Sequence, residues 1–521
     1  MRETTYCCKL PAYVVFSINQ EGSMRILLTG EQMRDADAYT IHKMGVPSLI
    51  LMEHAALSVM EVLEEEQVDL TAPLIVCGSG NNGGDGLAIA RLLHLKGHTP
   101  EVWYVGNTEH ASEENKVQRQ IIENYKIPIR NTFSKKEYSV IIDTIFGTGL
   151  AREVGGVYRE TIELLNQCSG KKVAVDIPSG IADTTGKVWG TAFQADITVC
   201  LGYEKLGTVL HPGTTYAGKR IVKDIGIIAH NVHEEECIYT YEKEELGKLI
   251  PRRKTDSNKG SYGRVLMIAG SKGMAGAAYL GAKAAYSVGA GLVQIYTEES
   301  NRMILQQLLP EAIISTYTEF DKIKLKELFD WADVVCIGSG LGKSETAEKI
   351  VTYAVQYGKS PCVLDGDGLN ILAEEMTLLE YKKNVVLTPH MKEMSRLLQC
   401  TVEELKENSL RCLQEFVEEY PVVCAMKDSR TMVASDEQGI YVNTTGNNAM
   451  AKAGSGDVLA GIITGLLAQG MSLRKACETG VFLHGLCGDK AKEQKGSYSV
   501  LASDLIDAIA AVLKGAEHED L

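Results

Sequence analysis

Residues 74–91, LIVCGSGNNGGDGLAIAR, constrain the fold more than any other stretch of the chain. An apolar run from Leu74 to Cys77 meets a cluster of glycines and two asparagines, and Ala88, Ile89 and Ala90 follow at helix-compatible spacing. The pattern predicts a buried strand, a tight turn and a helix start. Such a junction aims backbone N–H groups and the positive end of a helix dipole at whatever anion sits there. Gly78, Ser79, Gly80, Asn81, Asn82 and Gly83 also satisfy G-x-G-x-x-G, the fingerprint of a dinucleotide-binding turn. That reading needs an acidic residue closing the next strand, to meet the adenosine ribose. Glu101 stands at about the expected twenty-residue spacing, but it opens the strand EVWYVG and so falls at the wrong edge of the sheet. Asp85 would also repel a pyrophosphate unless a cation stood between them.

The stretch sits in a longer alternation. Thr29 is a good N-cap for a helix over 30–44, with Gly45 as its stop. Pro47 starts a second helix to about 66, carrying apolar Leu49, Met52, Leu57, Met60 and Leu63. After the glycine turn come a helix to 96, a strand at 101–105, a helix at 113–125 and a strand at 139–143. A helix near 158–167 and strands at 172–176 and 196–201 follow. This spacing means right-handed crossovers and a mostly parallel sheet covered on both faces, with ligands beyond the carboxyl ends of the strands. Residues 230–258 break the pattern with a charged stretch that reads as a linker. A second α/β series then starts with a strand at 264–269, a glycine turn at 270–276, a helix at 277–288 and a strand at 291–296. Further strands are expected at 333–337, 362–365, 385–387, 422–425, 431–434 and 440–443, and closing helices near 456–470, 473–492 and 501–514.

At 521 residues the chain should hold two domains with ample cores, with length enough for a third. A net charge of −15 argues against a nucleic-acid surface, which would need a basic stripe. Thirteen cysteines without CxxC or Cys/His ligand spacing fit free thiols in a reducing, cytoplasmic setting. No apolar run approaches the ~20 residues a membrane span requires. Residues 1–23 carry only a short apolar patch and no cleavage pattern, and read as a disordered leader.

In the first half, three loops converge on one sheet edge: 78–85, 143–150 (DTIFGTGL) and 176–180 (DIPSG). Alone, each aspartate is as well explained as a turn former or cap. Together they deliver Asn82, Asp143 and Ser179, hard oxygen donors with one formal charge among them, which suit a monovalent cation better than zinc. Asp176 closes its strand and presents a carboxylate to the same pocket.

GSGNNGGDGLAIAR, VIIDTIFGTGL, VAVDIPSG and the two leading helices resemble the NAD(P)H-hydrate epimerase domain, over roughly 24–228. The resemblance implies that Asn81, Asn82, Gly83, Gly84 and Asp85 contact a damaged cofactor rather than intact NAD. It implies the same for Gly147, Thr148, Gly149, Leu150, Ala151, Arg152, Glu153 and Asp176, and it makes Asn82, Asp143 and Ser179 ligands of K+. Interconversion of the R and S hydrates at the nicotinamide C6 needs one titratable group, and Asp176 is the candidate.

In the second half, NNAMAKAGSGDVLAG places Gly454, Ser455, Gly456 and Asp457 at the start of a helix. Its N–H groups form an anion hole, and a carboxylate there can take a proton from a substrate hydroxyl. Lys427, Asp428, Ser429, Arg430 and Thr431 form a strand–turn–strand. His390 and Glu393 end another strand and start a helix, where His390 serves a substrate or simply caps the helix. KGSYGRVLMIAGS, VGAGLVQI, IGSGLG, LTPHMKE and AGSGDVLAG are similar to the ADP/ATP-dependent NAD(P)H-hydrate dehydratase branch of the ribokinase-like superfamily, over about 242–515. That likeness implies Asp457 as the base, Gly456 at the nucleotide and 427–431 on its phosphates. It places Gly276, Ala277, Gly340, Gly342 and 390–396 on the substrate side, and implies Mg2+ with ADP or ATP. One departure is Asp428, where glycine commonly follows the lysine.

The expected fold class is α/β, with two doubly wound domains. Residues 24–229 form an N-terminal Rossmann-like three-layer sandwich and 259–516 a C-terminal ribokinase-like domain, joined by 230–258. The expected activity is epimerisation of NAD(P)H hydrate followed by ADP- or ATP-driven dehydration of the S form. Partners are small molecules, with no nucleic acid or membrane, and a homo-oligomer is compatible with the sequence. A small-metabolite kinase with a regulatory first half is the rival enzyme, but it has no use for a second, cation-bearing nicotinamide pocket. A nucleotide sensor built on inactive domains is the non-enzyme rival, and the intact Asp176, Lys427 and Asp457 argue against it.

Overall fold

The computed structural model describes residues 24–518 except 135, 136, 231, 233–236 and 437, so the expected leader lies outside the described residues. The chain divides into two compact α/β units, one built on 26–233 and the other on 234 onward.

The first unit is organised on a seven-stranded sheet in which every pairing is parallel. In spatial order the strands are Ile129–Arg130, Glu101–Tyr104, Pro73–Cys77, Val140–Thr144, Lys171–Val175, Ile197–Leu201 and Lys219–Lys223. The chain enters at Pro73–Cys77, runs outward one way, and returns to Val140–Thr144 on the other side. The crevice between those two strands is therefore the switch point where a ligand is expected. Thr29 caps the helix Gly30–His42 with a reciprocal capping box to Gln32, as its sequence position predicts. The helix Ser48–Glu65 also forms, but its buried face is Leu51, Met52, Ala55, Ala56, Val59, Met60, Val62 and Leu63, while Leu49 and Leu57 face outward. The alanines explain that choice, because they let Ser48–Glu65 and Asn81–Leu95 approach closely. Gly84 completes the contact: a Cβ there would fall 2.6 Å from the Met52 methyl. The edge strand Lys219–Lys223 was not expected. Its KRIVK sequence mixes lysines with apolar residues, as edges often do.

The second unit carries ten strands in the order Ile313–Tyr317, Leu292–Glu298, Arg264–Ile268, Val334–Ile337, Cys362–Leu364, Val385–Leu387, Val423–Met426, Met432–Ser435, Gln438–Val442 and Ile238–Thr240. The first seven pair in parallel, and the next two pairings, of Val423–Met426 with Met432–Ser435 and of Met432–Ser435 with Gln438–Val442, are antiparallel. The switch point lies between Arg264–Ile268 and Val334–Ile337, where Gly270 N and Ser271 N donate to the carbonyls of Ser339 (3.0 Å) and Gly340 (2.6 Å).

The stretch expected as a linker, 230–258, is not one throughout. It contributes the strand Ile238–Thr240 and the helix Leu246–Leu249, and Cys237 to Tyr241 are all buried. The reason is a charge network that the sequence alone does not pair. The fully buried Glu478 accepts from the hydroxyls of Tyr239 (2.5 Å) and Tyr241, from Arg474 Nε (2.7 Å) and from Lys475 Nζ (3.3 Å). Burial alone would raise the Glu478 pKa, but Arg474, Lys475 and the two phenols outweigh it and hold it below the usual range.

This network generates a stability prediction. Truncating Glu478 removes the buried carboxylate that Arg474, Tyr239 and Tyr241 share, so Glu478→Ala should cost the second unit about 3–5 kcal/mol in urea denaturation. Because the folded pKa is depressed, the contribution is present above the unfolded value and lost as pH falls through the folded one. The gap between wild type and variant should therefore close on acidification, and a gap independent of pH would contradict the ion-pair account.

Candidate active sites

In the first unit, the loops after Pro73–Cys77 and Val140–Thr144 face one cavity of about 470 Å³. Asn81, Asn82, Asp85, Gly147, Thr148, Gly149, Leu150 and Asp176 line it, as expected from the sequence. Gly83 and Gly84 lie instead in the buried first turn of Asn81–Leu95. Gly83 is needed for close approach, since a Cβ would stand 1.9 Å from the Gly78 carbonyl oxygen. Ala151, Arg152 and Glu153 are exposed and are not part of the cavity wall.

Asn82 is in the wall and Asp143 and Ser179 lie behind it, joined by the Phe146 carbonyl, which accepts from both Asn82 and Ser179. The Asn82 amide donates to the carbonyls of Phe146 (2.9 Å) and Val175 (3.2 Å), which fixes its orientation, and its Oδ1 is left buried without a hydrogen-bond partner. Asp143 is fully buried and accepts from Ser179 N (2.8 Å), Ser179 Oγ (2.7 Å) and Ile145 N (3.1 Å), all neutral donors. Burial pushes its pKa up to about 6, although the Ser179 hydrogen bonds pull the other way. An orphaned amide oxygen and a costly buried carboxylate, linked through Phe146 and Ser179, make a donor set that suits a monovalent cation.

Asp176 has φ +71°, a left-handed conformation that aspartate tolerates better than most residues. Its Oδ1 pairs with the ammonium of Lys205, which is wholly buried and also donates to the Leu201 carbonyl at 2.7 Å. Its Oδ2 lies 3.6 Å from the position a Gly147 Cβ would take, on the cavity side. Asp85 and Asp37 share this pocket. Burial, then the Asp176 charge, raises both pKa values, and Asp85 is held well above the usual carboxylate range. One lysine cannot neutralise three carboxylates, so Asp85 keeps its proton more readily than an ordinary carboxylate does.

In the second unit the helix Ser455–Ala468 opens on Gly454, at φ +92°, and carries Asp457 in its first turn. Gly340 and Ala277 meet at the switch point, where a Gly340 Cβ would stand 2.9 Å from that of Ala277; Gly342 N donates to Asp367 Oδ2 at 2.8 Å. Gly276 sits in the first turn of Ala275–Ser287 with open space where its Cβ would be. His390 caps Met391–Leu397: its Nδ1 accepts from Lys392 N and Glu393 N, both at 3.1 Å, and its own N–H donates to Glu393. The 427–431 turn does not present all of its polar groups outward. Lys427 Nζ bonds Asp365 at 2.7 Å, Arg430 donates to the Thr444 carbonyl at 2.9 Å, and Thr431 Oγ1 to the Asp428 carbonyl at 3.3 Å. Asp428 and Ser429 are exposed, and Asp428 is not among the positive-φ residues, so its backbone does not demand glycine.

Burial and the Asp365 charge push the Asp457 pKa up to about 6, while Ser339 and Lys427 pull it down. Ser455 Oγ lies 3.3 Å from Nε2 of the buried His484, whose pKa burial lowers to about 4, keeping it neutral.

Lys205, Asp37, Asp365, Ser339 and His484 were not singled out from the sequence. Asp365 had a legible signal, since it closes its strand as Asp143 and Asp176 close theirs. Lys205 had none, because nothing local distinguishes a buried lysine from a surface one.

Residues 265–511 match the family described as NAD(P)H-hydrate dehydratase, and residues 48–207 match the YjeF-related protein N-terminus. A protein of Moorella thermoacetica named a bifunctional NAD(P)H-hydrate repair enzyme is 35% identical over 518 residues, covering 95% of this chain and 97% of its own. A Coxiella burnetii protein of the same name is 34% identical over 490 residues, covering 92% and 98%. A solved ribokinase-like superfamily protein from Enterococcus faecalis is 30% identical, covers 54% of this chain and 96% of its own, and superposes with a TM-score of 0.50. With two domain matches in this order and full-length relatives above 30% identity, this chain belongs to the family of bifunctional NAD(P)H-hydrate repair enzymes.

Proposed function

We propose that the first unit interconverts the R and S hydrates of NADH and NADPH, and that the second returns the S hydrate to the intact dinucleotide using ADP or ATP. The observation that supports this reading is a shared arrangement. Each unit sets an aspartate within electrostatic reach of a largely buried lysine: Asp176 is paired with Lys205, and Asp457, in the first turn of Ser455–Ala468, feels the charge of Lys427, which is itself paired with Asp365.

Epimerisation needs the C6 hydroxyl to leave as water while the ring nitrogen lone pair forms a C=N bond, and water to return to the opposite face. Asp176 can deliver and recover the proton, with Oδ2 turned to the cavity and Oδ1 held by Lys205. Asn82, Asp143 and Ser179 would hold K+, which would supply positive charge beside an anionic substrate in an otherwise acidic pocket. In the second unit Asp457 takes the proton of the C6 hydroxyl as it attacks the terminal phosphoryl group. Phosphate then leaves C6 with the C–O bonding electrons as a proton is lost from C5, and the C5–H pair becomes the restored dihydronicotinamide double bond. The first-turn N–H groups of Ser455–Ala468 and the Lys427 ammonium face the charge that develops on the phosphoryl oxygens. Mg2+ would arrive on the nucleotide, held chiefly by its phosphates. Among the described residues no three His, Cys, Asp or Glu side chains gather into a metal-binding group. No helix of the described residues is long and apolar enough to cross a membrane, and free thiols such as Cys168, Cys400 and Cys412 suit a cytoplasmic enzyme.

The two activities separate by mutation. Recovery of reduced-nicotinamide absorbance from a mixture of hydrates should be complete in wild type. Asp457→Asn should lose it from both epimers by about 10²–10⁴-fold, and Asp176→Asn should recover only the S form. Should wild type regenerate no cofactor yet form ADP from ATP with a sugar or vitamin alcohol, the kinase reading would replace this one. For the cation, KCl should raise the melting temperature of wild type more than choline chloride at equal ionic strength. The Asp143→Asn and Asn82→Ala proteins should show no difference between the two salts.

A further inference from the structure

The nucleotide turn and the catalytic base of the second unit are joined by a residue that touches neither substrate. Asp365 follows the strand Cys362–Leu364 and is only 4% exposed. Three neighbouring strands each send one donor to its carboxylate. Lys427, after Val423–Met426, reaches Oδ1 at 2.7 Å; Thr388, after Val385–Leu387, reaches Oδ1 at 2.7 Å; and Ser339, after Val334–Ile337, reaches Oδ2 at 3.2 Å. The Ser339 hydroxyl also favours the charged form of Asp457. Lys427 Nζ lies 3.4 Å from the place a Gly456 Cβ would occupy, against the first turn of Ser455–Ala468.

We propose that Asp365 is a positioning residue for the dehydration step, fixing the Lys427 ammonium at the helix start and, with Ser339, setting the basicity of Asp457. The inference rests on the dehydratase reading above.

Asp365 is too buried to meet the nucleotide, so it acts through the groups it holds. Its negative charge disfavours a second charge on Asp457 and makes that carboxylate a better proton acceptor. Ser339 does the reverse, its hydroxyl favouring the charged form. The remaining charged or titratable groups around Asp457 are Lys427, which favours its charged form, and Asp367 on the helix Asp367–Leu372, which opposes it. Further out are Glu393 on Met391–Leu397, which faces Lys427, and neutral His484 on Leu473–Lys495. Loss of Asp365 also releases Lys427 toward Asp457, which acts in the same direction as loss of the Asp365 charge. The two neighbours therefore carry opposite signs, a signature that a merely structural role does not produce.

The test is the pH dependence of kcat/KM for S-hydrate dehydration in wild type, Asp365→Asn, Asp365→Glu and Ser339→Ala, with the same nucleotide throughout. The terminal phosphate titrates near 6 in every assay, so differences between proteins report the enzyme. The base must be ionised, so wild type should lose activity as pH falls through about 6. Asp365→Asn should move that limb down by about one pH unit and raise KM for the nucleotide, with Asp365→Glu restoring both. Ser339→Ala should move the limb up by roughly half a unit. An unmoved limb in an active Asp365→Asn protein, or the same direction of movement in both variants, overturns the proposal while leaving the dehydratase reading intact. If Asp365→Asn does not fold, Ser339→Ala decides alone, an upward movement supporting the proposal and none refuting it. Wild type that dehydrates no hydrate removes the dehydratase reading and this inference with it.

Discussion

The ion pair between Lys427 and Asp365 is the contact around which the second unit arranges its reaction centre. A carboxylate buried at the carboxyl edge of a parallel sheet is costly unless something positive or strongly polar meets it. Asp365 is met by a lysine and two hydroxyls from strands on both sides of its own, so the pairing order of the sheet becomes the geometry of the site. The first unit meets the same constraint twice. Asp176 takes Lys205, and Asp143 takes only neutral donors, which leaves a pocket of oxygen atoms with an excess of negative character.

Glycines set the distances at which these groups meet. Gly83 lets the first turn of Asn81–Leu95 lie on the Gly78 carbonyl, and that contact carries Asn82 in toward Asp143 and Ser179. Gly454 turns the chain through a left-handed conformation, so that Ser455–Ala468 begins beside Lys427. In both units the glycine-rich turn serves the approach of backbone to backbone as much as it serves any ligand, which is why G-x-G-x-x-G appears here without the ribose-binding carboxylate of a hydride carrier.

The union of the two activities in one chain has a chemical logic. Hydration of a nicotinamide ring gives both configurations at C6, whereas a dehydrating site of fixed handedness acts on one of them. An epimerising pocket in the same chain supplies that configuration from the other. The electrostatics of the two pockets differ as the two reactions require. An acidic pocket with one embedded lysine suits moving a proton at a hemiaminal carbon, and a helix start with a lysine suits receiving phosphoryl charge.

Periodicity, turn residues and strand-closing aspartates determined from the sequence alone that the chain makes two α/β units, and which loops reach the ligand edge. The signal is local: a strand, a glycine turn and a helix are written in consecutive residues, and alternation fixes the side of the sheet on which Asn82, Asp143, Asp176 and Asp457 emerge. Only the tertiary structure decided which charges meet. Residues 237–249 looked like linker until Tyr239 and Tyr241 found Glu478, more than two hundred residues away in the chain. Leu49 and Leu57 belong to the apolar pattern of their helix, yet the packed face runs through Leu51, Met52, Ala55 and Ala56 and leaves both leucines exposed. Lys205 and Asp365 carry partners chosen by strand order rather than by sequence neighbours. The His390 ring, legible as either ligand or cap, took the helix end beside it. Pairing energy inside a fold depends on who is adjacent in space and how much water is excluded, and neither quantity is written in a local pattern.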